Sequence, residues 1–187
     1  MTSNLPGSTG AFLLSVFSTL FTIQATALAA YTGGPDNSTP AYVAAPDLEQ
    51  SREQIAGYAQ QFTGLKYRYA GRSPQTGFDC SGFTNFVLKE FDVKVSSSSS
   101  TQSLQGARIP LDQVKPGDLV FFGRSGRGIQ HVAMVVERNE KGIFCVHSTC
   151  TRGVVVENIL ESSYWRPRIL YARDVITQQK APLGFPE

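Results

Sequence analysis

The sequence predicts an α+β domain in which N-terminal helices pack against an antiparallel sheet of about five strands. Apolar residues recur at helical spacing between residues 47 and 91. From Pro116 onward, short segments rich in β-branched and aromatic residues alternate with short polar connections, which is typical of an antiparallel meander. Because the helices precede the strands and the sequence lacks a βαβ alternation, the pattern favours an α+β fold.

Two helices are predicted in the first half of this domain. The first begins at Asp47, whose side chain favours the N-cap, and it ends at Gly64. A loop punctuated by Gly and Pro follows at residues 67–76, and the second helix spans residues 80–91 with Phe and Val on one face. The five-serine run at residues 96–100 is interpreted as a solvated loop.

The second half of the domain is predicted to form the sheet. A turn at Pro116 and Gly117 comes before its first strand. The connections between the middle strands are short and polar, so strands that follow each other in sequence are expected to pair. The predicted strands span residues 118–122, 132–137, 143–147, 153–157 and 168–172.

The N-terminal segment differs from the rest of the chain. Residues 1–35 contain no charged side chain, and residues 11–30 contain 14 apolar residues of 20. The stretch ends in Ala27-Leu28-Ala29, a small-x-small triplet like a signal-peptidase site, although no basic residue precedes it. Its Ser and Thr residues make it a poor permanent membrane span, so we expect an export signal. The alternative is a buried hydrophobic helix of the domain.

The length of the chain predicts one compact domain with an appendage, and its charge is nearly balanced. The chain has 187 residues, and its 17 basic and 15 acidic residues nearly cancel and are scattered. This balance argues against a nucleic-acid-binding protein, and no stable membrane insertion is expected after export. The predicted parts are an export segment at residues 1–30, a linker at 31–46, the folded domain at 47–176 and a C-terminal tail at 177–187.

Cys80 is the candidate nucleophile. It follows a Gly-rich loop and lies at the predicted start of the second helix, where free N–H groups and the helix dipole are expected to lower the pKa of a thiol. Asp79 can cap this helix, and Gly82 lacks a Cβ and allows close approach of backbone or substrate. A backbone N–H of the same turn can face a developing oxyanion. The alternative is a buried, inert cysteine.

The two histidines of the chain are candidates for the base that a thiol requires. His131 opens one predicted strand, and His147 lies on the next strand. Opposite residues on adjacent antiparallel strands lie about 5 Å apart, so the two imidazoles are expected to be neighbours. One histidine can then bond to the other's second ring nitrogen and fix its tautomer. Either histidine alone would be interpreted as a packing residue.

These residues belong to an ordered series of motifs that resembles the NlpC/P60 peptidases, papain-like enzymes that hydrolyse the stem peptides of peptidoglycan. The resemblance covers about residues 64–172. Its most specific piece is Gly77-Phe78-Asp79-Cys80-Ser81-Gly82-Phe83, which matches the nucleophile motif of the family. The other pieces are Gly64-x-x-Tyr67-x-Tyr69-Ala70-Gly71, Pro116-Gly117-Asp118-Leu119-Val120-Phe121-Phe122, His131-Val132 and Tyr164-Trp165.

The resemblance implies a Cys-His-His thiol mechanism on a papain-like NlpC/P60 fold. It implies that the Cys80 thiolate attacks a peptide carbonyl, that His131 acts as base and then protonates the leaving amine, and that His147 orients His131. Tyr67 and Ser81 are the residues expected at the substrate or the oxyanion. The bond expected from the family joins D-glutamate to a diamino acid, and neither a cofactor nor a metal is implied.

The chain departs from the family pattern at three places. Ala70 replaces the usual first Gly of a Gly-Gly pair, so the backbone turn there can differ. The spacing from His131 to His147 is long, which makes the third catalytic position the least secure. The serine run at residues 96–100 replaces a more typical Pro-Arg segment and can alter substrate contacts.

The remaining cysteines, Cys145 and Cys150, flank His147. As zinc ligands, these three residues lack a fourth partner and match no common zinc spacing. As a redox pair, the two cysteines could form a disulfide in an oxidising compartment. We interpret them instead as two half-buried residues beside a turn.

Three functions are compatible with these residues. The first is a peptidoglycan endopeptidase, exported to the periplasm or to the extracellular cell wall. The second is an amidase or transpeptidase that uses the same residues on another amide. The third is a non-catalytic wall-binding module, which has no chemical need for Cys80, His131 and His147 together. The sequence therefore favours an enzyme, and no residue in it identifies the scissile bond.

Overall fold

The computed structural model describes residues 45–124 and 127–180. The predicted export segment at residues 1–30 lies outside the described residues, as do most of the predicted linker and the end of the predicted tail. No helix in the described part combines the length and the apolar character that crossing a bilayer requires. Its elements are α1 (Ala45–Gln60), β1 (Arg72–Ser73), β2 (Gly77–Phe78), α2 (Cys80–Lys89), α3 (Ser99–Gln102), β3 (Ala107–Ile109), β4 (Leu119–Gly123), β5 (Ile129–Asn139), β6 (Gly142–Thr149), β7 (Gly153–Asn158), β8 (Ile169–Asp174) and α4 (Thr177–Lys180).

The main sheet of the described chain has six antiparallel strands in the order β3-β8-β4-β5-β6-β7. Strands β4 to β7 form the meander that the short polar connections predict. Strand β8 then returns to the free edge of β4, and β3 pairs with β8. Strands β1 and β2 form a separate small hairpin directly before α2. The predicted α+β class is confirmed.

Both faces of the sheet are covered, and each face has its own apolar cluster. Alternate residues of β5 point to opposite faces because side chains alternate along a strand. Val132 and Met134 pack in the cluster that includes residues of α1 and α2. Ala133 and Val135 pack on the opposite face, where Trp165 covers the sheet. The double coverage explains why every residue of β4 is buried.

Helix α1 is fixed to the sheet by a buried ion pair. Arg52 lies 2.7 Å from Asp118, which precedes β4, and 2.7 Å from Asp174 at the end of β8. The side chains of Arg52 and Asp118 are both 1% exposed. This network connects the N-terminal helix to two neighbouring strands, away from the edge that carries the histidines.

The structure corrects the predicted boundaries of both helices. Helix α1 begins at Ala45, so Asp47 is its third residue and not its N-cap. Pro46 occupies the first turn, where the missing proline N–H has no helical acceptor to lose. Helix α2 ends at Lys89, two residues before the predicted end, because the chain turns through Asp92 at a positive φ of 57°.

Several short elements were not predicted, and β1, β3 and α3 are three of them. Strand β1 lies within the predicted loop at residues 67–76, and β3 makes the sheet six strands wide where about five were expected. Helix α3 begins at Ser99, inside the serine run that we interpreted as a loop. Each element has only two to four residues, which is too short for a periodic pattern to appear in the sequence.

Candidate active site

Cys80 is the first residue of α2, and the preceding hairpin fixes its position. Asp79 is the N-cap, as predicted, and its carboxylate accepts the Gly82 N–H at 2.6 Å. A Cβ built on Gly82 would lie 2.1 Å from the carbonyl oxygen of Gly71. Only glycine therefore allows the loop before the nucleophile to pack against the first turn of α2.

The pKa of the Cys80 thiol is raised above its ordinary value, contrary to the expectation from its place at a helix start. Burial raises its pKa, the backbone N–H of Val132 lowers it, and the nearby Asp79 carboxylate raises it. The net direction is upward, because the loss of water around a half-buried thiolate outweighs the helix N–H groups. Such a thiol needs an adjacent base before it can act as a nucleophile.

The two imidazoles are neighbours, as the predicted hairpin implies. Nε2 of His131 lies 2.9 Å from Nδ1 of His147. Met134 on β5 pairs with Val146 on β6. Because the strands are antiparallel, the next residue of β6, His147, lies opposite Ala133. The histidines are therefore diagonal across the two strands, within reach because their side chains are long.

The long spacing between the histidines has a simple structural origin. Strands β5 and β6 extend beyond the site to Asn139 and Gly142, and a bulge between Val135 and Glu137 shifts their register. The additional residues lengthen the hairpin at its far end. They do not separate His131 from His147.

A carboxylate lies behind the second histidine. Nε2 of His147 is 2.8 Å from Oε1 of Glu157 on β7. The indole N–H of Trp165 donates to the same oxygen at 3.0 Å, and the Arg152 guanidinium also pairs with it. His147 lies opposite Val155 across the β6–β7 ladder, so Glu157 is its diagonal neighbour.

His131 has the properties of a neutral base. Burial and the adjacent His147 together lower its pKa to about 3, and Glu157 acts in the opposite direction. Because Nε2 bonds to His147, Nδ1 is the ring nitrogen left for the thiol. Trp165 stacks on the imidazole, with ring centroids 4.5 Å apart and an interplanar angle of 23°, and holds its orientation.

Cys80 and His131 line one cleft of about 170 Å³, which lies at the end of the sheet. Tyr67, Trp165 and Arg168 also line it. An adjoining cleft of about 320 Å³ shares Cys150, Tyr164 and Trp165 with the first cleft and continues to Arg152. The two clefts together provide a groove with the thiol and the imidazole at one end.

The two other predicted site residues are placed differently. Tyr67 lines the cleft, and burial and the Cys80 thiol raise the pKa of its hydroxyl, which therefore remains a hydrogen-bond donor. Ser81 is buried, its hydroxyl donates to Asp79 at 3.2 Å, and its side chain does not line the cleft. The backbone N–H of Ser81, and not its side chain, helps to lower the pKa of the Cys80 thiol.

The loop that carries Tyr67 retains a conformation that favours glycine. Ala70 has a positive φ of 54°, so the substitution keeps the left-handed turn with a residue that disfavours it. Gly71 follows, and a Cβ there would lie 2.3 Å from the carbonyl oxygen of Gly77. The departure from the Gly-Gly pair thus leaves the turn in place.

Cys145 and Cys150 occupy opposite environments, so the prediction that both are half-buried is wrong. Cys145 is fully buried on β6, where burial and the facing Glu157 raise its pKa. Cys150 is exposed at the following turn and lines the cleft. Both thiols are free in the structure, and the described residues contain no cluster of metal-ligating side chains around them.

The sequence did not indicate three residues of this arrangement: Glu157, Arg168 and the packing role of Trp165. Trp165 appears in the sequence only as part of the Tyr164-Trp165 motif. Glu157 could be inferred only with a known β6–β7 register, because its contact with His147 is diagonal.

Comparison with known proteins agrees with this geometry. The NlpC/P60 family profile matches residues 64–174. The chain is 33% identical over 132 residues to the gamma-DL-glutamyl hydrolase of Bacillus subtilis, which covers 69% of this chain and 31% of that protein. It is 32% identical over 133 residues to the probable endopeptidase NlpC of Escherichia coli, which covers 68% of this chain and 82% of that protein.

A solved structure shows the same fold. The crystal structure of an NlpC/P60 family protein from Bacillus cereus superposes with a TM-score of 0.61 at 28% identity. The match covers 67% of this chain and 40% of the Bacillus cereus chain. The chain therefore spans less than half of this protein and of the Bacillus subtilis relative.

Proposed function

The chain belongs to the NlpC/P60 family, and on that premise we propose that it is a cysteine peptidase that cleaves the stem peptides of peptidoglycan. One observation carries the proposal: the Cys80 thiol and the neutral His131 imidazole line the same cleft, and Nδ1 of His131 is the ring nitrogen not bonded to His147. A protonated thiol beside a neutral base is the arrangement that proton transfer to the base requires.

In the proposed reaction, Nδ1 of His131 removes the proton of the Cys80 thiol as the sulfur attacks the scissile carbonyl carbon. The C–S bond forms, and the carbonyl π electrons move to the oxygen. As the C–N bond breaks, His131 returns the proton to the leaving amine and a thioester remains. Water, deprotonated by the same nitrogen, then hydrolyses the thioester and restores the thiol.

The oxyanion of this reaction needs hydrogen-bond donors near the sulfur. The backbone N–H groups of Cys80 and Ser81 at the start of α2 act to lower the pKa of the Cys80 thiol, and Tyr67 lines the same cleft. We assign the first role to the backbone N–H of Ser81 and the second to the Tyr67 side chain.

The bond that we propose joins D-glutamate to the diamino acid of the stem. The family resemblance supports this choice, and so does the name of the Bacillus subtilis relative, a gamma-DL-glutamyl hydrolase. We further propose that residues 1–30 direct export, so that the mature protein begins near Ala30 or Tyr31 and acts in the periplasm or cell wall. N-terminal sequencing of protein from the native host tests the export, and an intact Met1 on cytoplasmic protein would contradict it.

Mass spectrometry of purified muropeptides after incubation with the full chain tests the proposed bond. We expect fragments with a new amine on the diamino acid, and we expect none with the Cys80→Ala variant. Release of intact stems from muramic acid would make the protein an amidase. Absence of any cleavage with a reduced Cys80 thiol would favour the wall-binding module.

A further inference from the structure

A carboxylate ends the row of hydrogen-bonded side chains behind the candidate nucleophile. His131 bonds to His147, and His147 bonds to Glu157, with heavy-atom distances of 2.9 and 2.8 Å. We propose that Glu157 is a positioning residue that sets the tautomer of His131 through His147 and stabilises the proton that His131 receives. This inference rests on the proposed function, because it assigns a role within the Cys80 and His131 mechanism.

The direction of each hydrogen bond follows from the carboxylate. An ionised carboxylate can only accept, so Nε2 of His147 must carry the hydrogen that is shared with Glu157. When the ring of His147 carries a single hydrogen, its Nδ1 is an acceptor, and Nε2 of His131 donates to it. The remaining nitrogen of His131, Nδ1, therefore carries a lone pair. Glu157 thus selects the tautomer in which His131 can accept the proton of the thiol.

Glu157 is ionised throughout the working range of pH. The hydrogen bond from His147 and the nearby Arg152 lower its pKa to about 2, although burial opposes them. Its side chain is 20% exposed, whereas that of Arg152 is 52% exposed, so water screens the arginine more than the carboxylate. Cys145, opposite Glu157 on β6, is the other titratable group that faces it, and its buried thiol stays protonated.

The charge of Glu157 matters most when His131 is protonated. In the proposed attack the proton moves from the Cys80 sulfur to Nδ1 of His131, and a positive charge appears in a buried site. Burial opposes this charge, and Glu157 is the group that favours it. Trp165 donates to the same Oε1 of Glu157 at 3.0 Å and holds it against His147. The carboxylate is therefore held where it opposes the cost of burial.

Glu157→Gln removes the charge while an amide oxygen can still accept from His147 and Trp165. Glu157→Ala removes both the charge and the acceptor. We expect kcat/KM on muropeptides to fall on the order of tenfold for the first variant and further for the second. Glu161→Gln is the matched control, because Glu161 is an exposed carboxylate on the segment after β7. It should leave kcat/KM unchanged.

The rate of Cys80 alkylation by iodoacetamide measures how readily the thiol loses its proton to His131, and it needs no substrate. The tryptic peptide of residues 73–89 contains Cys80 as its one cysteine, so mass spectrometry isolates its rate from those of Cys145 and Cys150. At pH 6 to 7 Glu157→Gln should be alkylated about three- to tenfold more slowly than wild type, since less of the thiolate and imidazolium pair is present. At pH values well above the raised pKa of the Cys80 thiol the two rates should converge, because the thiol then ionises without His131.

A purely structural role of Glu157 would lower the thermal midpoint and leave this pH-dependent ratio unchanged. Wild-type kcat/KM and wild-type alkylation in Glu157→Gln would overturn the inference. A loss of kcat/KM with an unchanged alkylation profile would also overturn it, since Glu157 would then act on the substrate. If wild type cleaves no muropeptide but the alkylation difference persists, the proposed function fails and the role of Glu157 stands. If Glu157→Ala does not fold, Glu157→Gln decides the question.

Discussion

Two networks of buried polar side chains cross this domain, and they differ in whether every group has a partner. The first joins Arg52 on α1 to Asp118 and Asp174 at the ends of two strands. The guanidinium also donates to Thr177 at 3.0 Å. Each of its charges faces an opposite charge, so this network fixes α1 to the strands and leaves no charged group free for a ligand.

The second network runs from Glu157 through His147 to His131 and stops at the cleft. At its Glu157 end the Trp165 indole and Arg152 pair with the carboxylate, and at its other end His131 lines the thiol cleft. The comparison indicates that a buried polar network is structural when each of its groups has a partner within the network. It becomes a candidate for chemistry when one basic group is left open at a surface.

The largest expected effect follows from removing the open end of the second network. Cys80→Ala and His131→Ala should each lower muropeptide hydrolysis by roughly a thousandfold or more, because each removes one half of the proton transfer. The double variant should be no slower than the worse single variant, as expected for residues that act as a unit. Circular dichroism should report unchanged folding, and full activity of Cys80→Ala would contradict the thiol mechanism.

Removal of Arg52 from the first network should lower the stability of the fold and leave catalysis unchanged. Arg52→Met leaves Asp118 and Asp174 without their buried partner, and it should lower the free energy of unfolding by about 3–5 kcal/mol. Urea unfolding measures this loss, and activity per folded molecule should be unchanged at low temperature.

The control for that experiment is the exposed ion pair between Lys115 and Glu49, whose side chains are 57% and 48% exposed. Lys115→Gln should lower the free energy of unfolding by less than about 1 kcal/mol. An equal loss in both variants would mean that burial does not distinguish the two ion pairs.

A smaller effect is expected from the middle of the second network. His147→Ala should lower kcat/KM by about ten- to a hundredfold, because water can partly replace a group that only orients the base. His147→Gln should recover part of the loss, since its amide can still bond to Nε2 of His131. An inactive His147→Ala beside an active His131→Ala would reverse the assignment of the base.

The sequence predicted the parts of the site that depend on local structure. A helix start identifies Cys80 and its cap Asp79, and a hairpin identifies His131 and His147 as neighbours. These relations involve short stretches of chain and regular geometry. The helical first half and the β4 to β7 meander were predictable for the same reason.

The remainder depends on contacts between distant segments, which a single sequence does not specify. The Glu157 contact needs the register of β6 and β7, and the return of β8 beside β4 carries Trp165 over the imidazoles. The pKa of Cys80 was predicted in the wrong direction because burial is set by the packing of α2 against β5. The position of Cys80 at a helix start predicts the helix N–H groups that lower the pKa of its thiol. It does not predict the burial that raises this pKa by more.

The central claim is that Cys80 and His131 form one proton-transferring unit, and the pH dependence of Cys80 alkylation tests it most directly. The rate should be measured on the peptide of residues 73–89 in wild type and in His131→Ala. We predict that wild type reacts on the order of tenfold faster or more at pH 6 to 7, and that the two profiles converge at pH values well above the raised pKa of the thiol. Superimposable profiles across this range would show that His131 takes no proton from the thiol and would contradict the account.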